Sequence, residues 1–302
     1  MSGHLYIINL SFLGNSMPTS ENRKVHILVI CVNYNSAEDT VKFAENTLTL
    51  NTSHSLDLLI INNSPDQNNL LKKSVQRDSR VKLLCPGTNL GYFGAASWGL
   101  EKYLSNAGLP EWVIISNTDI IFPDNNIIKK LYEFYPVGFD GVVAPKIHSQ
   151  RSGVNQNPFM VRRPAKNKIL FFRLIFRFYP VSFLYQLLSF IKTKIKYILG
   201  RNQISLVDEQ KPHYIYAPHG SFIMFHRKYF EAGGDLKHGS FLFGEEIFVA
   251  EAISRLSLKV IYDPRLKVIH NEHRSSGNIK NKEMCMYVSK TYDYIYNQFY
   301  VR

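Results

Sequence analysis

Asp119 has the sequence surroundings of a metal-binding carboxylate. The apolar run 112–115 is followed by Ser116, Asn117 and Thr118 immediately before it. Such a run is typical of a buried strand in an α/β sheet, and ligands of these sheets bind at the carboxyl ends of the strands. An aspartate there, with the Asn117 amide two residues earlier, can bind a hard cation and the phosphates attached to it. A simple turn is the alternative, because Asn, Thr and Asp also favour strand exits.

Alternating strands and helices are predicted to position this strand end. Apolar runs predict strands at 25–32, 56–61, 81–84 and 112–116, with helices over 37–48, up to Gln76, and from about 91 to 105. This alternation favours βαβ units and a mainly parallel sheet. Gly91 and Gly94 lie where the third helix opens, and they allow either a phosphate contact at its N-terminus or tight helix packing.

The second half of the chain changes pattern after Lys146. A basic and aromatic segment occupies 162–198, and strand-like patterns return at 214–225, 258–262 and 268–273. The tail from Lys282 to Tyr300 has helical spacing. The sequence therefore predicts an α/β fold, a Rossmann-like sheet flanked by helices, that carries a basic helical insertion.

Composition restricts the class of protein. The chain has 302 residues, 45% of them hydrophobic, and its three cysteines lack metal-like spacing, which favours a reducing compartment. The apolar stretch 5–13 lacks the pattern of a secretory signal, and no run reaches the roughly 18 apolar residues of a spanning helix. We therefore expect a cytoplasmic protein. Nothing resembles a nucleic-acid-reading module, so we expect no nucleic-acid partner.

The positive charge of the chain is localised. Its net charge is +12, yet residues 151–207 contain no Asp or Glu and hold eleven basic residues: Arg151, Arg162, Arg163, Lys166, Lys168, Arg173, Arg177, Lys192, Lys194, Lys196 and Arg201. Basic residues interleave with aromatic ones over 162–198, as in an amphipathic helix pair at the inner face of the plasma membrane. The alternative is a hairpin that packs its apolar face on the domain or on a second subunit.

Six strand-end motifs occur in an order found in a known family: Val32-Asn33-Tyr34-Asn35, Ile61-Asn62-Asn63-Ser64, Asn89-Leu90-Gly91-Tyr92-Phe93-Gly94, Asn117-Thr118-Asp119, Gly244-Glu245-Glu246, and His270 followed by Ser275-Ser276. Together they resemble glycosyltransferase family 2, the inverting nucleotide-sugar transferases of the GT-A fold. The rhamnosyltransferase-like subgroup, which acts in bacterial surface polysaccharide synthesis, is most similar.

The resemblance implies a set of donor and metal ligands. The residues expected to bind the nucleotide donor are Val32, Asn33, Asn35, Asn62, Asn89, Gly91, Gly94 and Asn117. Asp119 would hold Mg²⁺ or Mn²⁺, with His270 as a metal or diphosphate ligand; on its own, a histidine at a strand end is more often structural. Asn62 replaces the family's Asp, which leaves the choice of nucleobase open.

The resemblance also implies the catalytic base. Glu246 stands where the family has Asp and would accept the proton of the acceptor hydroxyl, with Glu245 as the alternative base. Acids also favour a helix N-terminus, so one glutamate can cap while the other reacts. His219, Gly220 and Ser221 follow a strand-like segment and are expected to line the acceptor or sugar pocket; packing is the competing explanation.

The implied activity is sugar transfer with inversion from a UDP- or dTDP-linked donor to a glycan or polyprenyl-linked acceptor. A non-catalytic scaffold of the same fold and a nucleotidyltransferase are the alternatives, and the donor sugar, acceptor, linkage and oligomeric state stay open. The expected divisions are an N-terminal extension (1–22), a nucleotide-sugar-binding half (23–150), the basic insertion (151–212), an acceptor or catalytic half (213–277) and a C-terminal helix (278–302).

Overall fold

The computed structural model describes residues 26–52, 54–64, 69–75, 78–135, 139, 141–198, 210–272 and 282–301. The predicted N-terminal extension and Ser275-Ser276 lie outside these residues. The strands are β1 (His26–Asn33), β2 (Ser55–Asn62), β3 (Val81–Leu84), β4 (Trp112–Ser116), β5 (Ile120–Ile121), β6 (Gly141–Ser149), β7 (His213–Ile215), β8 (Phe222–His226) and β9 (Lys259–His270).

These strands form one sheet in the order β3-β2-β1-β4-β8-β6-β9-β5, and β7 pairs with β9. The half formed by β3, β2, β1 and β4 is entirely parallel. In the other half β6 and β9 are parallel, while β8 runs antiparallel to both β4 and β6. The register pairs Asn33 with Asn62 and Cys31 with Ser116, so the polar residues that follow β1, β2 and β4 meet at one edge.

The helices are α1 (Ala37–Leu48), α2 (Asn69–Val75), α3 (Tyr92–Leu104), α4 (Ile127–Phe134), α5 (Lys166–Ile175), α6 (Tyr179–Ile198), α7 (Arg227–Glu231), α8 (Glu245–Arg255) and α9 (Lys282–Phe299). In the part of the chain that the structure describes, no helix is both long and apolar enough to cross a bilayer. Pro180 is the second residue of α6, where proline is tolerated because a backbone N–H at this position would have no acceptor within the helix.

The sheet is buried on both faces, which explains the continuous apolar character of its strands. Along β1, Val29 and Cys31 belong to a cluster with α1 and α4, whereas Leu28 and Ile30 belong to a cluster with α3 and α8. Successive strand residues point to opposite faces, so both clusters require apolar side chains. The predicted fold class is confirmed: a sheet with a parallel half, flanked by helices, carries the helices α5 and α6 between β6 and β7.

Candidate active site

The ends of β1 and β2 are joined by buried amides. The Asn33 side chain donates to Asn62 Oδ1 at 2.8 Å and accepts from Ser36 and from Thr40 Oγ1, at 3.1 and 3.0 Å. Asn33 and Asn62 are both nearly inaccessible to solvent. This network fixes the loop after β1, where Asn35 has a left-handed φ of 53° and its N–H donates to Ser64 Oγ. Asn33 therefore stabilises the loop after β1, which was predicted to bind the donor, through buried hydrogen bonds.

A second amide fixes the loop that leads into α3. The Asn63 side chain donates to Asn89 Oδ1 at 2.7 Å and to Gly91 O at 3.0 Å, and its own oxygen accepts from Leu90 N at 2.8 Å. Gly91 has φ 74°, and a Cβ there would lie 1.9 Å from the carbonyl oxygen of Phe241. The helix start therefore needs glycine because it packs on the backbone of the segment before Glu245.

Gly94 differs from Gly91. A Cβ at Gly94 would meet only the Leu90 Cβ, at the ordinary contact distance of 3.6 Å. Tight packing thus explains Gly91 but not Gly94, and a ligand contact at Gly94 stays a prediction.

Val32 packs in the core cluster with α3, so its side chain is turned towards the interior. The Asn117 N–H donates to Ser221 O at 2.9 Å, which ties the end of β4 to the start of β8.

Asp119 and His270 are brought together by the pairing of β5 with β9. The N–H of Asn271 donates to Asp119 O at 2.8 Å, and His270 Nε2 lies 3.2 Å from Asp119 Oδ1. This approach does not have hydrogen-bond geometry, and His270 Nε2 is buried without a hydrogen-bond partner among the described residues. A buried nitrogen that lacks a partner and faces a carboxylate is an unsatisfied group whose natural partner is a cation.

The rest of the His270 ring is fixed by a chain of hydrogen bonds. Gln156 Nε2 donates to Glu272 Oε1 at 2.5 Å, which turns Gln156 Oε1 towards His270 Nδ1 at 2.7 Å. Ser149 Oγ donates to the other Glu272 oxygen at 2.8 Å. The network therefore assigns the proton to Nδ1 and leaves the Nε2 lone pair facing Asp119. A metal-binding histidine typically has its other nitrogen held in this way.

The Asp119–His270 pair fits a divalent cation. No group of three or more His, Cys, Asp or Glu side chains in the described ranges could hold a metal ion by itself. A cation here would take its remaining ligands from water and from phosphate oxygens, which is the habit of Mg²⁺ and Mn²⁺ at nucleotide sites. Thr118 and Asp119 also line a cavity of about 280 Å³ on the α1 side of the sheet end.

His219 lies beside this pair. Its ring centroid is 5.9 Å from that of His270, and its Nδ1 accepts from the Ser221 N–H at 3.2 Å. Burial, and then the neighbouring His270, lower the pKa of His219 to about 4, so the ring is neutral at physiological pH. Since Nδ1 is an acceptor, the proton lies on Nε2. His219 can therefore donate to an anionic or hydroxyl ligand without adding positive charge near a cation.

Glu245 and Glu246 open helix α8 next to the same segment. The Gly220 N–H lies 3.4 Å from Glu246 Oε1, and a Cβ on Gly220 would come within 3.0 Å of that oxygen. Burial and the adjacent Glu246 raise the pKa of Glu245 to about 8. Burial also raises the pKa of Glu246, opposed by backbone N–H groups that include Gly220. Glu245 Oε2 is buried without a hydrogen-bond partner among the described residues, so Glu245 is the better candidate to keep a proton.

Tyr92 lies near both Asp119 and the Glu245–Glu246 pair, and the sequence did not identify it as a site residue. Its hydroxyl donates to Gly220 O at 3.2 Å. Burial raises the pKa of Tyr92, with further contributions from Glu245, Asp119 and Glu246. These carboxylates therefore all lie within electrostatic range of a single phenol. The missed residues Tyr92, Asn63, Gln156 and Glu272 have a common signal: each is a polar residue in or beside a strand-end loop.

The segment before Glu245 is held in a strained conformation. Phe243 has φ 68°, which is unusual for a bulky residue, and Gly244 continues the left-handed backbone at 78°. Thr291 Oγ1 of α9 donates to Leu242 O at 2.7 Å, and a Cβ at Gly244 would lie 2.5 Å from the Thr291 methyl group. Such strain persists only where surrounding contacts impose it. Helix α9 therefore determines where the two glutamates begin their helix.

A larger cavity, about 640 Å³, lies away from the acids between α3 and the β3 edge. It is lined by Leu59, Trp98 and Tyr103, with Lys72, Lys82 and Lys102 near its walls, and Asn62 is the predicted site residue that reaches it. We place the chemistry around Tyr92 and the segment 219–221, because the buried unsatisfied atoms of Glu245 and His270 lie there, whereas none of the residues named as lining the larger cavity has such an atom.

No family model and no curated protein sequence matches this chain. Among solved structures, GalNAc-T7 with UDP, GalNAc and Mn²⁺ superposes with a TM-score of 0.52 at 13% identity, over 85% of this chain and 45% of that one. The mannosyltransferase PcManGT from Pyrobaculum calidifontis, in complex with GDP-Man and Mn²⁺, gives 0.48 at 14% identity, over 84% of this chain and 59% of that one. This chain therefore spans about half the length of these structures.

The likeness to GalNAc-T7 shows the fold. The chain has a GT-A-type fold. At such low identity the likeness does not extend to individual residues, so the roles predicted for Glu245, Glu246, Asp119 and His270 stay predictions. What the structure adds is their arrangement: a carboxylate–imidazole pair and a carboxylate pair on two sides of the segment 219–221.

Proposed function

We propose that this chain is a metal-dependent glycosyltransferase that uses a nucleotide-diphosphate sugar as donor. The observation that carries the proposal is that the Asp119–His270 pair and the Glu245–Glu246 pair both lie beside Tyr92 and the segment 219–221. Sugar transfer needs both a place for the departing diphosphate and an acceptor for a proton. The GT-A fold and the Mn²⁺ and UDP bound to the solved GalNAc-T7 structure support this proposal.

The donor side would be formed by Asp119 and His270. A divalent cation bound there would neutralise the negative charge that develops on the leaving diphosphate. Asp119 Oδ1 and His270 Nε2 would be its protein ligands, and Gln156 and Glu272 would hold the imidazole in the correct tautomer. His219, neutral with its proton on Nε2, would donate a hydrogen bond to a phosphate or sugar oxygen.

The acceptor side would be formed by Glu246. Its carboxylate would take the proton of the attacking hydroxyl, and the Gly220 N–H supports its ionised form. Glu245, with its pKa raised to about 8, is the member of the pair that keeps a proton at neutral pH. We propose that the hydroxyl attacks the anomeric carbon opposite the diphosphate and inverts its configuration. Glu245 stays the alternative base.

We also propose the finer assignments that the sequence resemblance implies. The donor would be UDP- or dTDP-linked, with rhamnose among the candidate sugars, and the acceptor a glycan or a polyprenyl-linked precursor of a bacterial surface polysaccharide. Catalysis would take place in the cytoplasm, at the inner face of the plasma membrane. A nucleotidyltransferase is less well supported, because the β1 exit Asn33–Ser36 lacks a basic, glycine-rich loop.

The test is to incubate the protein with a panel of nucleotide sugars and Mn²⁺. Release of nucleoside diphosphate measures turnover, and NMR of the anomeric centre determines the configuration of the product. The proposal predicts release with at least one donor, inverted product with a suitable acceptor, and loss of release in Asp119→Ala. A non-catalytic scaffold would instead show no release with any donor, and cells carrying Asp119→Ala or Glu246→Gln would keep its function.

A further inference from the structure

The first two turns of helix α6 have their polarity reversed with respect to an ordinary surface helix. Ser182 is completely buried, and its hydroxyl donates to Tyr179 O and lies 3.1 Å from Cys285 Sγ. Gln186, one turn later, donates back to Ser182 O. Soluble surface helices normally bury the apolar face and expose the polar one. In the first two turns of α6, Ser182 is buried and Gln186 is half-buried, whereas Val181, Phe183 and Leu184 are exposed.

Nine exposed apolar residues of α5, α6 and the turn between them form a surface that we call the outer face. Its nine side chains are Phe171 (48% exposed), Leu174 (62%), Phe178 (59%), Val181 (49%), Phe183 (55%), Leu184 (55%), Leu187 (45%), Leu188 (57%) and Ile191 (43%). The Phe171 ring lies 5.8 Å from that of Tyr185, so the two helices adjoin. An apolar surface of this extent on a soluble protein marks a docking site.

The opposite side of this helix pair is fixed to the body of the protein. Phe172 and Phe176 pack on Tyr292 of α9, with ring centroids 5.2 and 5.9 Å apart. Arg173 forms an ion pair with Asp293 of the same helix. The helix pair therefore already packs on the body of the protein through its inner side. The outer face stays exposed even though the two helices are docked on α9.

The surrounding charge identifies the occupant. Arg177 and Lys192 are exposed beside the outer face, and residues 151–207 contain no acid at all. A second copy of the chain, docking face to face, would bring the same excess of positive charge against this surface. An anionic bilayer offers both an apolar layer for the nine side chains and phosphate groups for the basic ones.

We propose that the outer face docks in the interfacial layer of an anionic phospholipid bilayer, with α5 and α6 lying in the plane of the membrane. The apolar side chains enter the acyl boundary, while Arg177 and Lys192 reach back to the lipid phosphates. This docking does not require the proposed enzymatic function. If that function holds, docking brings the site near the bilayer surface, because α9 contacts both α5 and the segment that leads into Glu245, and this favours a lipid-carried acceptor.

The experiment is co-flotation of the full chain with vesicles of phosphatidylcholine alone or with phosphatidylglycerol added, without nucleotide or metal. We expect flotation with the anionic vesicles and little with the neutral ones. Leu184→Glu with Leu188→Glu should abolish it, and Arg177→Glu with Lys192→Glu should weaken it by roughly tenfold or more, since each basic residue near the surface contributes about 1 kcal/mol. Val154→Glu, equally exposed at 58%, is the matched control and should float normally.

Three outcomes would overturn the proposal. One is absence of the wild-type chain from the anionic vesicle layer. Another is unchanged flotation after both leucine substitutions, although circular dichroism shows a folded chain. The third is a wild-type chain that does not float but forms a dimer in vesicle-free solution, with the dimer dissociated by Leu184→Glu with Leu188→Glu, which would assign the outer face to a second copy. Because flotation involves no turnover, its failure is distinguishable from failure of the proposed enzymatic function.

Discussion

Replacing Glu246 by glutamine separates the two glutamates as candidate bases. The amide keeps the size of the side chain and its contact with Gly220, which lies 3.4 Å from Oε1, but it cannot accept the proton of a hydroxyl. A positioned general base contributes roughly 10²–10⁴-fold, which corresponds to about 3–5 kcal/mol of transition-state stabilisation. We therefore expect kcat to fall by roughly 10²–10⁴-fold in Glu246→Gln. Donor affinity should be unchanged, because Asp119 and His270 are not altered.

Glu245→Gln is the matched control for this experiment. Glu245 is the glutamate expected to carry a proton, so its amide replaces a neutral acid, and kcat should fall by less than about tenfold, well short of the loss of a positioned base. The assay is initial-rate nucleoside diphosphate release under saturating donor, with donor affinity measured separately by calorimetry. A large loss in Glu245→Gln with a small one in Glu246→Gln would exchange the two roles. Equal small losses in both variants would refute a carboxylate base at this site.

Three further predictions follow from the same contacts. Burial raises the pKa of Glu245 to about 8, so the folded state keeps a proton that the unfolded chain releases near 4.5, and the protein loses stability as the pH rises from about 4.5 to 8. Glu245→Gln cannot lose this proton, so it should raise Tm relative to wild type more at pH 9 than at pH 5. Equal shifts of Tm at both pH values would contradict this prediction. Gln156→Leu removes the acceptor of His270 Nδ1 and should weaken Mn²⁺ binding in calorimetry by roughly 10–100-fold, whereas unchanged affinity would exclude His270 as a ligand held by this network. Gly91→Ala places a Cβ 1.9 Å from Phe241 O at φ 74°, so it should lower the free energy of unfolding in urea by about 1–3 kcal/mol or more. Gly94→Ala should leave the free energy of unfolding nearly unchanged. Similar values for the two variants would contradict the close packing at Gly91.

The fold was predictable because it depends on period and order. Apolar runs such as 112–116 require burial on both faces, and the alternation with helices such as 37–48 favours a parallel sheet. Short elements were harder: β5 has two residues, yet it pairs Ile120 with His270 and so brings Asp119 to its neighbour. No periodicity is detectable over two residues, so this contact depends on tertiary structure alone.

The candidate site was predictable in its residue types but not in its connections. The strand-end position marked Asp119, whereas His270 and Glu246 were marked by the resemblance of their motifs to glycosyltransferase family 2. The supporting residues were not marked, because Gln156 and Glu272 become partners only through a fold that joins positions 116 residues apart. The insertion 162–198 was predicted to be basic and amphipathic, but which of its sides packs on α9 is determined by the tertiary structure.

The most direct test of the central claim is nucleoside diphosphate binding with and without Mn²⁺, measured by calorimetry for the wild type and for Asp119→Ala. A cation that joins the Asp119–His270 pair to the donor diphosphate predicts that Mn²⁺ strongly increases affinity in the wild type and has little effect in the variant. Equal affinity with and without Mn²⁺, or an identical Mn²⁺ effect in both proteins, would contradict the account.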